Sequence, residues 1–176
     1  RAGQALADSE TCSTEVIAVT THSRALSPEQ AALVVQEDVA ALRAAGVRRL
    51  YKKVDSTLRG PFRAEIEAAR RAWHEDAIAV VCPAFPATGR TLKDGILYVD
   101  GVPVTETSAA TDPVTPVTQA HVPTLLDAGH VALVAGESAQ SLAERIKTAG
   151  SVVVVDAVTD EDIDRLAHAI ALAGEN

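Results

Sequence analysis

Apolar positions along this chain fall into two kinds of run. Valine-, isoleucine- and alanine-rich blocks bounded by polar residues read as buried strands at 15–21, 78–82, 131–134 and 152–155, and 48–54, around Arg49-Leu50-Tyr51, reads as a further strand. Between them apolar residues recur at helical spacing. The first helix is announced by Ser27-Pro28-Glu29-Gln30, in which Ser27 caps, Pro28 takes the first helical position and Gln30 closes a capping box. Leu33, Val34, Val39, Ala41 and Leu42 follow, and Gly46 ends the helix. Further helices are expected over about a dozen residues from Pro61, near 118–128, at 138–148 and from 160 to 172. Asp160, Glu161 and Asp162 suit the first turn of the last helix, where the helix dipole favours negative charge.

The middle breaks this rhythm. Pro83 to Arg90 holds two prolines and a glycine and reads as a loop. Asp100-Gly101, flanked by Ile96–Val99 and Val102–Val104, is a strong hairpin signal. Residues 105–118 are rich in threonine and proline and read as a surface crossing. The predicted fold class is α/β, a mainly parallel doubly wound sheet with helices on both faces and a projecting β-hairpin. Residues 1–14 read as a polar N-terminal segment, disordered or the start of a fragment, and 15–176 as one domain.

Composition narrows the class. The chain has 176 residues, enough for one substantial core. Aromatic residues make up only 3% and methionine is absent, so small and β-branched side chains fill that core, as suits a parallel sheet. No run of 18 apolar residues and no signal peptide occur, so a cytoplasmic setting is expected and no membrane partner. Cys12 and Cys82 are too few for a disulfide framework or a zinc site.

Charge is unevenly placed. Nine of the 16 basic residues lie between Arg43 and Arg71 against three acidic ones, within a chain of net charge −8. Such a local positive field attracts small anions. No aromatic residues interleave it, which argues against a nucleic-acid partner. Three loops at predicted carboxyl ends of strands can converge on one crevice: 20–24, 55–60 and 83–91. They supply the cations Arg24, Lys53, Arg59 and Arg90, the carboxylate of Asp55, and hydroxyls of Ser23, Ser56, Thr57, Thr88 and Thr91. That set suits a small polyhydroxylated anion, with an arginine holding its carboxylate bidentately. Asp55 could bind sugar hydroxyls or act as a general base. The five histidines lack metal-ligand spacing, no metal site is expected, and no phosphate-binding glycine loop occurs. Gly136-Glu137-Ser138 reads either as a phosphate-binding helix start or, more simply, as a capped helix entry.

The stretches KKVDSTLRGPFRAEIEA (52–68), CPAFPATGRTLKDGILYVDGVPVTET (82–107) and TTHSRAL (20–26) closely resemble the sugar-binding half of the four-carbon acid sugar kinases, or tetronate kinases. The resemblance runs from about residue 14 to the C-terminus. It implies ATP-dependent phosphorylation of erythronate, threonate or a 3-oxo-tetronate, with Mg²⁺ and with ATP bound by a second domain or subunit. It marks Lys53, Asp55 as the catalytic candidate, Ser56, Thr57, Arg59 and Gly60. It also marks Phe85, Gly89, Arg90 and Thr91, with Pro83, Pro86 and Arg24. Two family features are not found in the sequence: the Asp-Asp-Leu-Thr-Gly motif that usually ends the first strand, and the glycine-rich ATP-binding domain. The chain is therefore expected to be part of a carbohydrate kinase, inactive by itself, whose partners are a four-carbon sugar acid, an ATP-binding domain or subunit and further copies of itself. The alternative is a non-catalytic module or split subunit that binds a small sugar acid or anion.

Overall fold

A computed structural model describes residues 15–174, so the segment expected at 1–14 and Cys12 lie outside the described residues. Two compact units divide the chain. One holds residues up to Lys53 together with Gly60–Ala77, and the other holds Val54–Arg59 together with the chain from Ile78 onward.

In the first unit helix α1 spans Pro28–Ala44 and α2 spans Phe62–Trp73. The capping box forms as the sequence predicts: Ser27 Oγ accepts from the Gln30 amide, and the Gln30 side chain accepts from the Ser27 amide. The buried stripe of α1 is Ala31, Val35, Val39 and Leu42, at the three- and four-residue steps of one helical face. Val35 and Val39 cluster with Ala69 of α2, with Leu50, Ala72 and Trp73 packed around them. Leu33, expected among the apolar positions of α1, points away from that stripe and is 59% exposed. Glu65 is buried in α2 and forms an ion pair with Lys52 at 2.5 Å.

The strands expected at 15–21 and 48–54 carry no ladder. β-propensity expresses itself only where a neighbouring strand and a packing face exist. Here Val16 is 82% and Tyr51 87% exposed, and neither segment has a ladder partner among the described residues.

The second unit contains two three-stranded sheets. Strands β1 (Ala79–Val81), β5 (Gly129–Val131) and β6 (Val152–Val155) form a parallel sheet with β6 in the centre. Strands β2 (Arg90–Lys93), β3 (Ile96–Val99) and β4 (Val102–Pro103) form an antiparallel meander. Its turns are Asp94-Gly95 and Asp100-Gly101, with all four residues at positive φ, as tight hairpins require. Helices α4 (Ala139–Thr148) and α5 (Asp160–Gly174) pack together, and Leu142, Ala143, Ile146, Leu166 and Ala169 close a core with Val131, Val153 and Val155. The α/β class is thus as expected, and the single hairpin is part of a second sheet.

Two expected elements are displaced. The helix near 118–128 shrinks to α3, Val122–Leu126, because the chain before it is tied to the meander: Leu97 N donates to Ala120 O and Val122 N to Gly95 O. The strand expected at 131–134 pairs instead at Gly129–Val131. A Cβ on Gly129 would stand 1.9 Å from the Ala149 carbonyl oxygen, so only glycine can enter the ladder there.

Asp156, the residue after β6, is 4% exposed. Its carboxylate accepts from the backbone amides of Asp94 at 2.9 Å and Gly95 at 3.0 Å, and it meets His130 Nε2 at 2.9 Å. Beside it Leu92 and Ala157 exchange two backbone hydrogen bonds. Replacing Asp156 with alanine leaves two amides without their acceptor, at ~1–3 kcal/mol for each buried group. Urea unfolding is expected to show a loss of at least about 2 kcal/mol for D156A, whereas L33A changes stability by under ~0.5 kcal/mol.

Candidate functional site

The loop after residue 54 turns on one carboxylate. Asp55 Oδ2 accepts from Thr57 N at 3.2 Å, Thr57 Oγ1 at 2.6 Å, Arg59 N at 3.2 Å and Arg59 Nε at 3.0 Å, while Oδ1 accepts from Arg59 Nη2 at 3.1 Å. A short acid accepting from amides two and four residues ahead folds the backbone over itself. Leu58 N donates to Asp55 O, and Leu58 is held at φ 65° while 5% exposed. That conformation is uncommon for a bulky residue and persists where surrounding bonds over-determine it. Burial raises the Asp55 carboxyl's pKa, but hydrogen bonds from Arg59 and Thr57 and the guanidinium charge together hold it well below the usual carboxylate range.

Arg59 is committed on two sides. Besides its bidentate pairing with Asp55, its Nη1 reaches Asp112 Oδ2 at 3.3 Å. Asp112 is itself fixed, accepting from Val114 N at 3.0 Å and Thr115 N at 2.9 Å. The sequence reading missed Asp112. Asp112-Pro113 signals a turn, but no local signal pairs it with a residue 53 positions earlier.

The loop after β1 is closed by its own backbone. Phe85 N donates to Arg90 O at 2.8 Å, and Arg90 N to Phe85 O at 3.2 Å. A short 3-10 turn, Pro86–Thr88, lies between them, and Gly89 follows at φ 72°. A Cβ on Gly89 would meet Asp100 Oδ1 at 1.9 Å, so a side chain there would displace the Asp100 carboxylate as well as strain the left-handed backbone. Arg90 Nη1 donates to Thr88 O, and Arg90 Nε is buried without an acceptor. The Phe85 side chain is 54% exposed, and Thr91 sits in β2 opposite Tyr98.

The remaining candidates belong to the first unit. Ser23 is buried and shares a 2.7 Å hydrogen bond with Thr21. Gly60, at φ 89°, lies against Arg24: a Cβ there would come within 3.2 Å of the Arg24 carbonyl oxygen. Lys53 is exposed, and Ser56 is half-buried in the Asp55 loop. Arg24 and Gly60 are thus brought together in one unit, and Asp55, Thr57 and Arg59 in the other.

Other candidates resolve as structure. Ser138 Oγ accepts from the Ser141 amide, so the Gly136–Ser138 segment is a capped helix entry. Burial pushes the Cys82 thiol up to about 11, as for an inert core cysteine. Among the described residues no group of three or more His, Cys, Asp or Glu could hold a metal ion, and no helix is long and apolar enough to cross a membrane.

The sugar-binding N-terminal domain family matches residues 2–176. The chain is 64% identical over 174 residues to the D-threonate kinase of Bordetella bronchiseptica, covering 99% of this chain and 43% of that protein. It is 36% identical over 171 residues to the D-erythronate kinase of Heliobacterium modesticaldum, covering 91% and 39% respectively. A Bordetella bronchiseptica crystal structure with bound citrate, described as a domain-swapped dimer, is 65% identical and superposes with a TM-score of 0.94 over 96% of this chain and 42% of that one. The chain thus spans less than half the length of these relatives, and it belongs to the sugar-binding N-terminal domain family of the tetronate-type kinases.

The depressed pKa of Asp55 predicts a pH dependence. A carboxyl whose folded pKa lies below its unfolded value, about 3.9, contributes stability above that value and loses it as pH falls toward the folded pKa. D55N is expected to be destabilised at pH 7 by roughly 2 kcal/mol. Denaturant titrations should show the gap to the parent chain narrowing below about pH 4.

Proposed function

From that membership, we propose that this chain binds a four-carbon sugar acid, such as threonate or erythronate, for phosphorylation by an ATP-dependent kinase. The observation that carries this reading is the ordered Asp55–Arg59 loop, in a chain 64% identical over nearly its whole length to a D-threonate kinase. A loop fixed before the ligand arrives can orient a substrate hydroxyl without the entropy of ordering itself. Phosphoryl transfer depends chiefly on such positioning and on electrostatic stabilisation, so a domain can contribute by aiming the terminal hydroxyl.

The chain's own residues divide accordingly. Within the second unit, the hydroxyls of Ser56 and Thr91, the backbone around Gly89 and the Arg90 guanidinium are the groups offered to the polyol and its carboxylate. Asp55 is ionised and held by its own loop. A general base works best with a pKa near the working pH, so Asp55 acts chiefly by shaping the loop. ATP supplies the phosphoryl group. Among the described residues no three or more His, Cys, Asp or Glu stand together in a metal-binding group, and the sequence carries no phosphate-cradling glycine loop; Mg²⁺ and ATP belong to the full enzyme. A cytoplasmic setting and assembly with further copies of the chain are part of the same proposal.

Calorimetry on the 176-residue chain is expected to show binding of D-threonate or D-erythronate, with no ATP-dependent phosphorylation of either. Binding of neither acid would overturn the reading. Steady phosphorylation by the chain alone would show that it holds a nucleotide site of its own.

A further inference from the structure

We propose that His121 is a proton-operated latch joining α3 to the meander. Neutral, it caps the helix. Protonated, it lets the cap go, while His130 beside it keeps its hold on Asp156. The device lies within the second unit and stands independently of the sugar-acid reading.

Two histidines bracket the Asp94-Gly95 turn. His121 does so directly: a Cβ on Gly95 would stand 2.8 Å from its Nε2. The residues on either side of it are tied to the same hairpin, Ala120 O to Leu97 N and Val122 N to Gly95 O. His130 acts through Asp156, whose Oδ1 lies 2.9 Å from its Nε2 and whose carboxylate accepts from both amides of the turn. The two rings stand edge to face, with centroids 6.4 Å apart and planes at 71°.

Their hydrogen bonds fix where the protons are. The Thr124 amide can only donate, and it donates to His121 Nδ1 at 3.3 Å, with Thr124 Oγ1 at 2.7 Å from the same nitrogen. His121 Nδ1 is therefore an acceptor, and the neutral ring carries its one hydrogen on Nε2. A proton added at Nδ1 turns that acceptor into a donor. The Thr124 hydroxyl can rotate and accept from it, but the amide cannot, so α3 loses its cap. With five residues, the second of them a proline without an N–H, the helix has few bonds of its own to hold that end.

His130 is arranged the other way. Its Nε2 faces a buried carboxylate, so Nε2 is the donor and a second proton goes to Nδ1. That proton leaves the bond to Asp156 intact and makes it charge-assisted. The other titratable groups on the elements around the rings are Lys93, Asp94, Tyr98 and Asp127; of the three acids Asp156 alone is buried, and it is bonded to His130. When both rings are charged, two cations face each other, and His121 is the one whose bonding is broken. The latch is closed at high pH and opens as pH falls.

The test is NMR on the 176-residue chain between about pH 8 and pH 5, the range over which histidines change charge. Imidazole nitrogen shifts should show His121 with its hydrogen on Nε2 at the upper end. As that ring becomes charged, the protection factor of the Thr124 amide should fall roughly two- to thirtyfold, the span set by loss of a helix cap. The Gly95 amide, held by Asp156, should keep its protection. H121N, which caps without titrating, should abolish the response at Thr124, and H130Q, which still donates to Asp156, should leave it in place. An Nδ1–H tautomer at His121 or a Thr124 protection factor flat across the range would overturn the latch. So would a response that survives in H121N or vanishes in H130Q.

Discussion

One buried carboxylate fastens the second unit together. Asp156 follows the central parallel strand and reaches the first hairpin turn of the antiparallel meander, while His130 approaches it from the neighbouring parallel strand. A buried carboxylate is tolerable only when its lone pairs are filled, and here two backbone amides and an imidazole fill them. The turn it grips suits Asp94-Gly95. Both residues are at positive φ, and a Cβ on Gly95 would come within 2.8 Å of His121 Nε2. The other end of that hairpin is the Gly89–Arg90 loop, so the fastener also anchors the strand that leads from it.

The Asp55 loop repeats the device on a smaller scale. In both places an aspartate accepts from backbone amides and turns a flexible connection into a defined one. A core of valine, alanine and leucine gives burial but little direction, because the hydrophobic effect is not directional. In a chain with 3% aromatic residues, hydrogen-bonded carboxylates supply geometry that large rings would otherwise impose.

The sequence disclosed what depends on local chemistry. The Ser27–Gln30 box, the Asp100-Gly101 turn and the valine run of β6 are each specified within a few residues, and each formed. Lys93-Asp94-Gly95-Ile96 carried the same hairpin signal as Asp100-Gly101, yet Arg90 and Thr91 were taken into the proline-containing loop and the strand they open, Arg90–Lys93, was not read. What local signals could not disclose were pairings across long separations. Asp112 on Arg59, Asp156 on the Asp94 turn and Ala149 over Gly129 depend on the fold bringing distant segments together. The blocks at 15–21 and 48–54 show the converse, since strand propensity without a ladder partner leaves Val16 and Tyr51 exposed.

The same distinction governs the basic window from which the sequence led to an expectation of anion binding. Counted along the sequence, residues 43–71 are strongly positive; counted in the fold, much of that charge is spent internally. Lys52 faces Glu65, Arg59 faces Asp55 and Asp112, and Arg70 and Arg71 share Glu67. A cation already paired offers an incoming anion little net attraction, since gaining the new partner means surrendering the old. Charge density along the sequence therefore overstates the field that the folded chain presents. Arg90 lies outside the basic window altogether, on a loop read both as a break in regular structure and as one of the candidate site loops. Its single carbonyl contact and unfilled Nε are visible only once the chain is folded.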